Sequence, residues 1–137
     1  MQNVIEFERS RADKYNWHTI FAVTAFHIAA LGAFFTFSWE NLAATVILWW
    51  IASSWGIGIS YHRMLTHRGF TSSKWMMRFL ATCGTLGLQS GPISWVTTHR
   101  LHHAFSDTDK DPHNSKKGFW WSHIGWIFKG TAQNQPE

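Results

Sequence analysis

Residues 17–61 read WHTIFAVTAFHIAALGAFFTFSWENLAATVILWWIASSWGIGISY, and this stretch decides the fold. It holds two apolar runs, Trp17 to Phe37 and Leu42 to Tyr61. Each is close to the ~20 residues that carry a helix across a ~30 Å hydrocarbon core. Only Ser38-Trp39-Glu40-Asn41 joins them, so a tight two-span transmembrane hairpin is expected. Arg9, Arg11 and Lys14 precede the first run, Arg63, Arg68, Lys74 and Arg78 follow the second, and the joining loop has no basic residue. By the positive-inside rule both outer ends of the hairpin are expected on the cytoplasmic side.

The composition fits that reading. The chain has 137 residues, about one domain's worth, and its apolar share of 45% includes ten tryptophans and eleven phenylalanines. Such aromatic loading suits side chains at a bilayer interface. The mean hydropathy is slightly negative because it averages two strongly apolar segments with a polar, histidine-rich second half. The formal charge of +4 arises from 12 basic and 8 acidic residues dispersed around the hydrophobic segments. No basic run interleaved with aromatics is present, so nucleic acid is not expected as a partner and membrane flanking explains the charge. Cys83 stands alone, which excludes an intrachain disulfide and a CxxC redox or metal motif. Met1 to Lys14 is mixed and polar, and no small-residue cleavage site follows the first apolar run, so a cleavable signal is not expected.

Beyond the hairpin, Trp75 to Leu88 is short and interrupted by Thr82, Gly84, Thr85 and Gly87, which suits an interfacial or buried segment better than a span. The aromatic run Phe119 to Phe128, with Trp120, Trp121 and Trp126, is expected at headgroup level. Between them, His99 to Gly118 reads as a helix end followed by a polar loop, with Asp107, Asp109, Asp111 and the turn-forming Pro112. The expected architecture is an all-α, multi-pass integral membrane protein. A cytoplasmic N-terminal segment (1–16) leads into the transmembrane hairpin (17–61). A cytoplasmic histidine-box region with interfacial helices (62–130) follows, and then a polar tail (131–137).

The chemistry is carried by two histidine clusters, His62-Arg-Met-Leu-Thr-His67 and His99-Arg-Leu-His102-His103. Five neutral imidazoles in two short polar stretches read as transition-metal ligands, and an all-nitrogen set without cysteine suits iron better than a structural zinc. The 31 residues between His67 and His99 cannot hold two full spans, and a single span would separate the clusters. With no span between them, both lie on one side. Offsets of three and four place His99, His102 and His103 on one helical face. An offset of five gives about 140° around an ideal helix. His62 and His67 therefore share an ion only if the helix ends or distorts between them; otherwise they serve two ions. His18 and His27 lack clustered partners, and a neutral, hydrogen-bonded His27 is expected inside the first span.

HRMLTH, HRLHH and the following DPHNSKKGFWWSHIGW together resemble the first two histidine boxes and the connecting signature of membrane fatty acyl desaturases, the stearoyl-CoA desaturase-like group and especially its bacterial members. The resemblance covers Trp17 to Lys129. It implies a non-haem di-iron oxygenase that removes two hydrogens from an acyl chain. The family uses O2 and two electrons from a small donor protein of the ferredoxin or cytochrome b5-like kind. It implies His62, His67, His99, His102 and His103 as iron ligands and Gln89 and Trp95 as residues lining the bend of the acyl channel. His113 and His123 belong to the signature but not to its ligand positions, and are expected to be structural or to support the ligands. The Asp107, Asp109, Asp111 series lacks the glycine and terminal glutamate of a calcium loop and is expected to be a solvated turn.

Two departures from the family pattern bear on function. The third histidine box, a further single histidine ligand and a second pair of spans have no counterpart in these 137 residues. The chain is therefore expected to hold the N-terminal part of a desaturase, with an incomplete di-iron centre and doubtful activity in isolation. Thr97 and Thr98 stand before the second box, where acyl-CoA-using animal members carry charged residues, leaving acyl-CoA and acyl-lipid substrates both open. The alternatives are another histidine-box oxygenase acting on alkanes, sterols or carotenoids, and a non-catalytic metal-binding membrane fragment.

Overall fold

The structure is a computed structural model describing residues 14–129. Most of the expected N-terminal segment and the whole polar tail lie outside the described residues, as do Arg9 and Arg11. Among the described residues the chain is helical, with no strand beyond one isolated bridge. It forms two compact units, residues 14–36 with 101–129, and Phe37–Arg100.

In the first unit, helix α1 spans Trp17–Gly32. Asn16 starts it by accepting the Thr19 N–H at 3.1 Å, satisfying one of the amides that a helix start leaves without a partner. A short 3-10 turn, Ala33–Phe35, extends it to a 19-residue apolar helix, about 28 Å long at the ordinary rise. His27 donates its Nδ1–H to the Val23 carbonyl at 2.8 Å, the hydrogen-bonded arrangement expected for it. The foot of α1 is pinned to the end of the described chain. The Asn16 N–H donates to the Phe128 carbonyl at 2.8 Å, and the Lys129 ammonium sits 3.9 Å from the centre of the Tyr15 ring.

In the second unit, Ser38 caps α2 (Trp39–Trp50) by accepting the Asn41 N–H at 3.1 Å. The helix then continues unbroken as a π-helical segment, Ile51–Thr66. Together they give 28 continuous residues, Trp39–Thr66, so the helix outlasts the expected end at Tyr61 and carries His62 within it. Helix α3 (Lys74–Thr85) starts at Ser73, whose hydroxyl accepts the Met76 N–H at 3.2 Å. Its 12 residues are too few to cross a bilayer. Helix α4 runs Pro92–Phe105, with proline at the first helical position, where its missing N–H costs nothing.

Two described helices, Trp17–Phe35 and Trp39–Thr66, are long and apolar enough to cross a membrane. The most apolar windows of these helices are 0% and 11% buried, unlike the core helix of a soluble domain. Phe21 is 77% exposed and Trp49 66%. An apolar surface this continuous calls for a covering other than water.

The small interior of the second unit lies where the π segment meets α3. Ala52, Tyr61, Met64, Leu80 and Cys83 are buried there. Gly56 is pressed against the backbone of Cys83 and Gly84, and Gly84 lies under the Tyr61 ring. The Tyr61 hydroxyl donates to the Ala81 carbonyl at 3.4 Å. Backbone contact at this range is available only to residues without a side chain, the same device by which small residues draw membrane helices together.

Candidate metal centre

The π register resolves the geometry of the first histidine pair. In a π-helix the backbone bond closes from residue i to i+5, so residues five apart stack across one turn. The His67 N–H donates to the His62 carbonyl at 3.1 Å, and the Thr66 hydroxyl donates to the Tyr61 carbonyl at 2.7 Å, both with this spacing. As a result the Nε2 atoms of His62 and His67 lie 3.3 Å apart. Between His62 and His67 the helix both takes the π register and ends, at Thr66.

His99 of α4 completes a triad, its ring centroid 4.8 Å from His62 and 5.9 Å from His67. One ligand nitrogen from each of the three histidines lies within 4.8 Å of the others. Two imidazole nitrogens bound at about 2.0–2.1 Å to one tetrahedral ion stand about 3.3 Å apart, so the His62–His67 spacing fits a shared ion. The donor set is all imidazole, which suits a divalent transition metal and not calcium or magnesium. His103 follows His99 by one turn on the same helix.

Two side chains brace the triad. The Trp95 ring lies 4.7 Å from His99, 6.5 Å from His62 and 5.8 Å from Tyr61 between centroids. Its indole N–H donates to the Gln89 side-chain oxygen at 3.1 Å. Gln89 itself sits between Leu88 (φ 53°) and Ser90 (φ 80°), two non-glycine residues in the left-handed region. Backbone strain of this kind clusters at sites where side-chain placement matters. Arg100 forms the second brace. Its guanidinium donates to the Leu65 carbonyl at 3.0 Å and to the Thr66 carbonyl at 3.2 and 3.4 Å, capping the end of the helix that carries His62 and His67. A cation on the last carbonyls also complements the negative end of the helix. Sequence reading passed over Arg100, although its place inside HRLHH was the available signal.

His102 engages a different set of groups. In the first unit its Nδ1 lies 3.0 Å from both carboxylate oxygens of Asp111, and its ring centroid is 4.2 Å from that of His113. Asp107 and Asp109 are exposed, as expected of a solvated turn, but Asp111 is only 2% exposed. The loop is knotted around it. Asp107 leaves the helix with φ 60°, a conformation aspartate tolerates, and its N–H donates to Asp111 Oδ2 at 3.1 Å. The His113 N–H donates to Asp111 Oδ1 at 3.1 Å, and the buried Asn114 donates to the Thr108 carbonyl at 2.7 Å. Burial works to raise the Asp111 pKa, but the bonds from His102, Asp107 and His113, with the His102 charge, hold it below the usual value. Burial, then the neighbouring His102, push the His113 pKa down and favour its neutral form. His113, Asp111 and His102 together also present ligand atoms within 4.8 Å of one another. His123 is exposed and stacks on Phe119, with centroids 5.4 Å apart.

The fatty acid desaturase family profile matches residues 41–134. The chain is 50% identical over 120 residues to the sn-1 stearoyl-lipid 9-desaturase of Anabaena variabilis, covering 86% of this chain and 44% of that protein. It is 47% identical over 113 residues to the sn-1 stearoyl-lipid 9-desaturase of Synechocystis sp., covering 81% and 36%. Delta-9 acyl-lipid desaturase 1 of Arabidopsis thaliana is 44% identical over 117 residues, covering 82% and 38%. The chain thus spans roughly two fifths of the length of these curated relatives. With the family profile laid over the histidine-bearing helices and close relatives over most of its length, the chain belongs to the fatty acid desaturase family.

Proposed function

We propose that these residues form the membrane hairpin and the first metal-binding part of an iron-dependent acyl-lipid desaturase, a multi-pass enzyme with its histidines at the cytoplasmic face. The observation that carries this reading is the His62–His67–His99 triad at the end of a 28-residue apolar helix. A metal held there stands where an acyl tail leaving the bilayer can reach it. His62, His67 and His99 would hold one ion, and His102 and His103 would be further iron ligands. Further ligands come from parts of the protein that correspond to the remaining length of the relatives. An acyl-lipid substrate is favoured by the acyl-lipid desaturases among the relatives and by Thr97 and Thr98, which offer no charge for a CoA headgroup.

When bound, iron supplies the activation of O2 by which two hydrogens leave adjacent methylenes. With two electrons from a small donor protein and two protons, each O2 ends as two waters and the acyl chain gains one double bond. The chain's own residues orient and shield. Trp95, steadied by Gln89, forms an apolar wall against His62 and His99 and positions the acyl chain beside them. Arg100 keeps the two histidine-bearing helices in register.

Membranes of cells expressing the full reading frame that carries these residues, fed a saturated C18 acid, are expected to gain cis alkene in their lipids without hydroxylated product. Substitution of His62, His67 or His99 by alanine is expected to abolish both the alkene and the protein-bound iron. A hydroxylated product, or alkene formation that survives these substitutions, refutes the proposal.

A further inference from the structure

Asp111 lies nine residues beyond His102 in a loop that reads as solvent-facing, yet it is among the most buried side chains of the described residues. Its carboxylate is gripped from two sides by backbone, with Oδ1 accepting the His113 N–H and Oδ2 the Asp107 N–H, each at 3.1 Å. Those bonds fix the carboxylate plane, and both oxygens are then aimed at His102 Nδ1 at 3.0 Å. An ionised carboxylate only accepts hydrogen bonds, so the imidazole nitrogen facing it must carry the proton. In a neutral imidazole the other nitrogen is then the one with a free lone pair.

We propose that Asp111 is a positioning residue for the metal centre: it holds His102 in the Nδ1–H tautomer, which makes Nε2 the ligand atom. This rests on the reading of His102 as a metal ligand and deepens it. Carboxylates that receive the second N–H of a metal-bound histidine orient the ring and raise its basicity, and losing them typically costs about 10–100-fold in metal affinity. The competing arrangement has His102 Nδ1, Asp111 and His113 themselves surrounding an ion. The approach of both carboxylate oxygens to the one ring nitrogen at 3.0 Å, with their backbone N–H donors behind them, matches a shared N–H. The loop chemistry has a purpose on this reading, since Asp107 and Asn114 hold the turn that delivers the carboxylate.

The test needs no metal. The 137-residue chain, labelled with 15N-histidine and held in lipid nanodiscs at about pH 8.5, two units above the ordinary histidine pKa, reports each ring's tautomer through its nitrogen shifts. His102 is expected as Nδ1–H in the wild type. Asp111→Ala removes the acceptor, and the ratio of Nδ1–H to Nε2–H is expected to fall about ten-fold or more, as loss of a charge-assisted hydrogen bond implies. Asp111→Asn keeps the shape but leaves one acceptor oxygen for three donors, so the ratio falls in it too, which covers the case of a poorly folded alanine variant. A wild-type His102 in the Nε2–H form overturns the proposal without any variant. So does an Nδ1–H population unchanged in the asparagine variant. Because the sample is metal-free, absence of iron from the purified protein counts against the desaturase reading and leaves this result standing.

Discussion

Gly56→Ala places one methyl group where the π segment meets α3. An added Cβ would stand 2.5 Å from the carbonyl carbon of Cys83 and from both N and Cα of Gly84. Carbon atoms rest at about 3.5–4.0 Å, so the two elements must part by roughly 1 Å. The obstructing atoms are backbone and have no side-chain rotation by which to give way. Overpacking of this kind costs about 1–3 kcal/mol, and the upper end applies here. Against it stands the better helix propensity of alanine, about 0.8–1.0 kcal/mol, leaving a net loss of about 2 kcal/mol. Gly32→Ala is the matched control. Nothing lies within 4 Å of its added Cβ, so propensity alone acts and stability is expected to stay level or rise by up to about 1 kcal/mol. Chemical denaturation in detergent micelles, followed by far-UV circular dichroism, measures both. Equal midpoints for the two variants would refute the close approach of the π segment to α3, and with it the placement of Tyr61 beside Trp95 and the histidines.

Two further substitutions probe the same region. Arg100→Met keeps the apolar stem but removes the contacts to the Leu65 and Thr66 carbonyls, and a loss of about 1–2 kcal/mol is expected because the group is exposed. Hydrogen exchange at the His67 and Gly69 amides, which close the end of the π segment, should then quicken about ten-fold; unchanged exchange removes Arg100 from its bracing role. Ser60→Ala deletes a fully buried hydroxyl for which the structure supplies no hydrogen-bond partner. Stability in the same denaturation assay should hold or rise by about 1 kcal/mol, whereas a clear loss would show that Ser60 is satisfied by a bound group.

Sequence by itself determined the helical class, the two long apolar helices and the family. These depend on local chemistry: apolar run length, ligand type, and a signature specific enough to carry a family with it. Even the bond made by His27 was legible, because a helix offers an i−4 carbonyl within reach of any such side chain. Only the tertiary structure decided how the histidines meet. An ideal helix keeps His62 and His67 apart, and the π register that brings them together runs over the whole stretch Ile51–Thr66, where Gly84 of α3 packs against Gly56 and Tyr61. Asp111 was read as solvated because its neighbours are polar and turn-forming, yet the backbone donors of Asp107 and His113 make burial of its charge tolerable. Arg100 found its partners 34 and 35 residues away, a distance over which no periodicity speaks. Residue type thus announces what chemistry is possible, while register and long-range hydrogen bonding, which depend on how elements pack, fix which imidazole nitrogens come together.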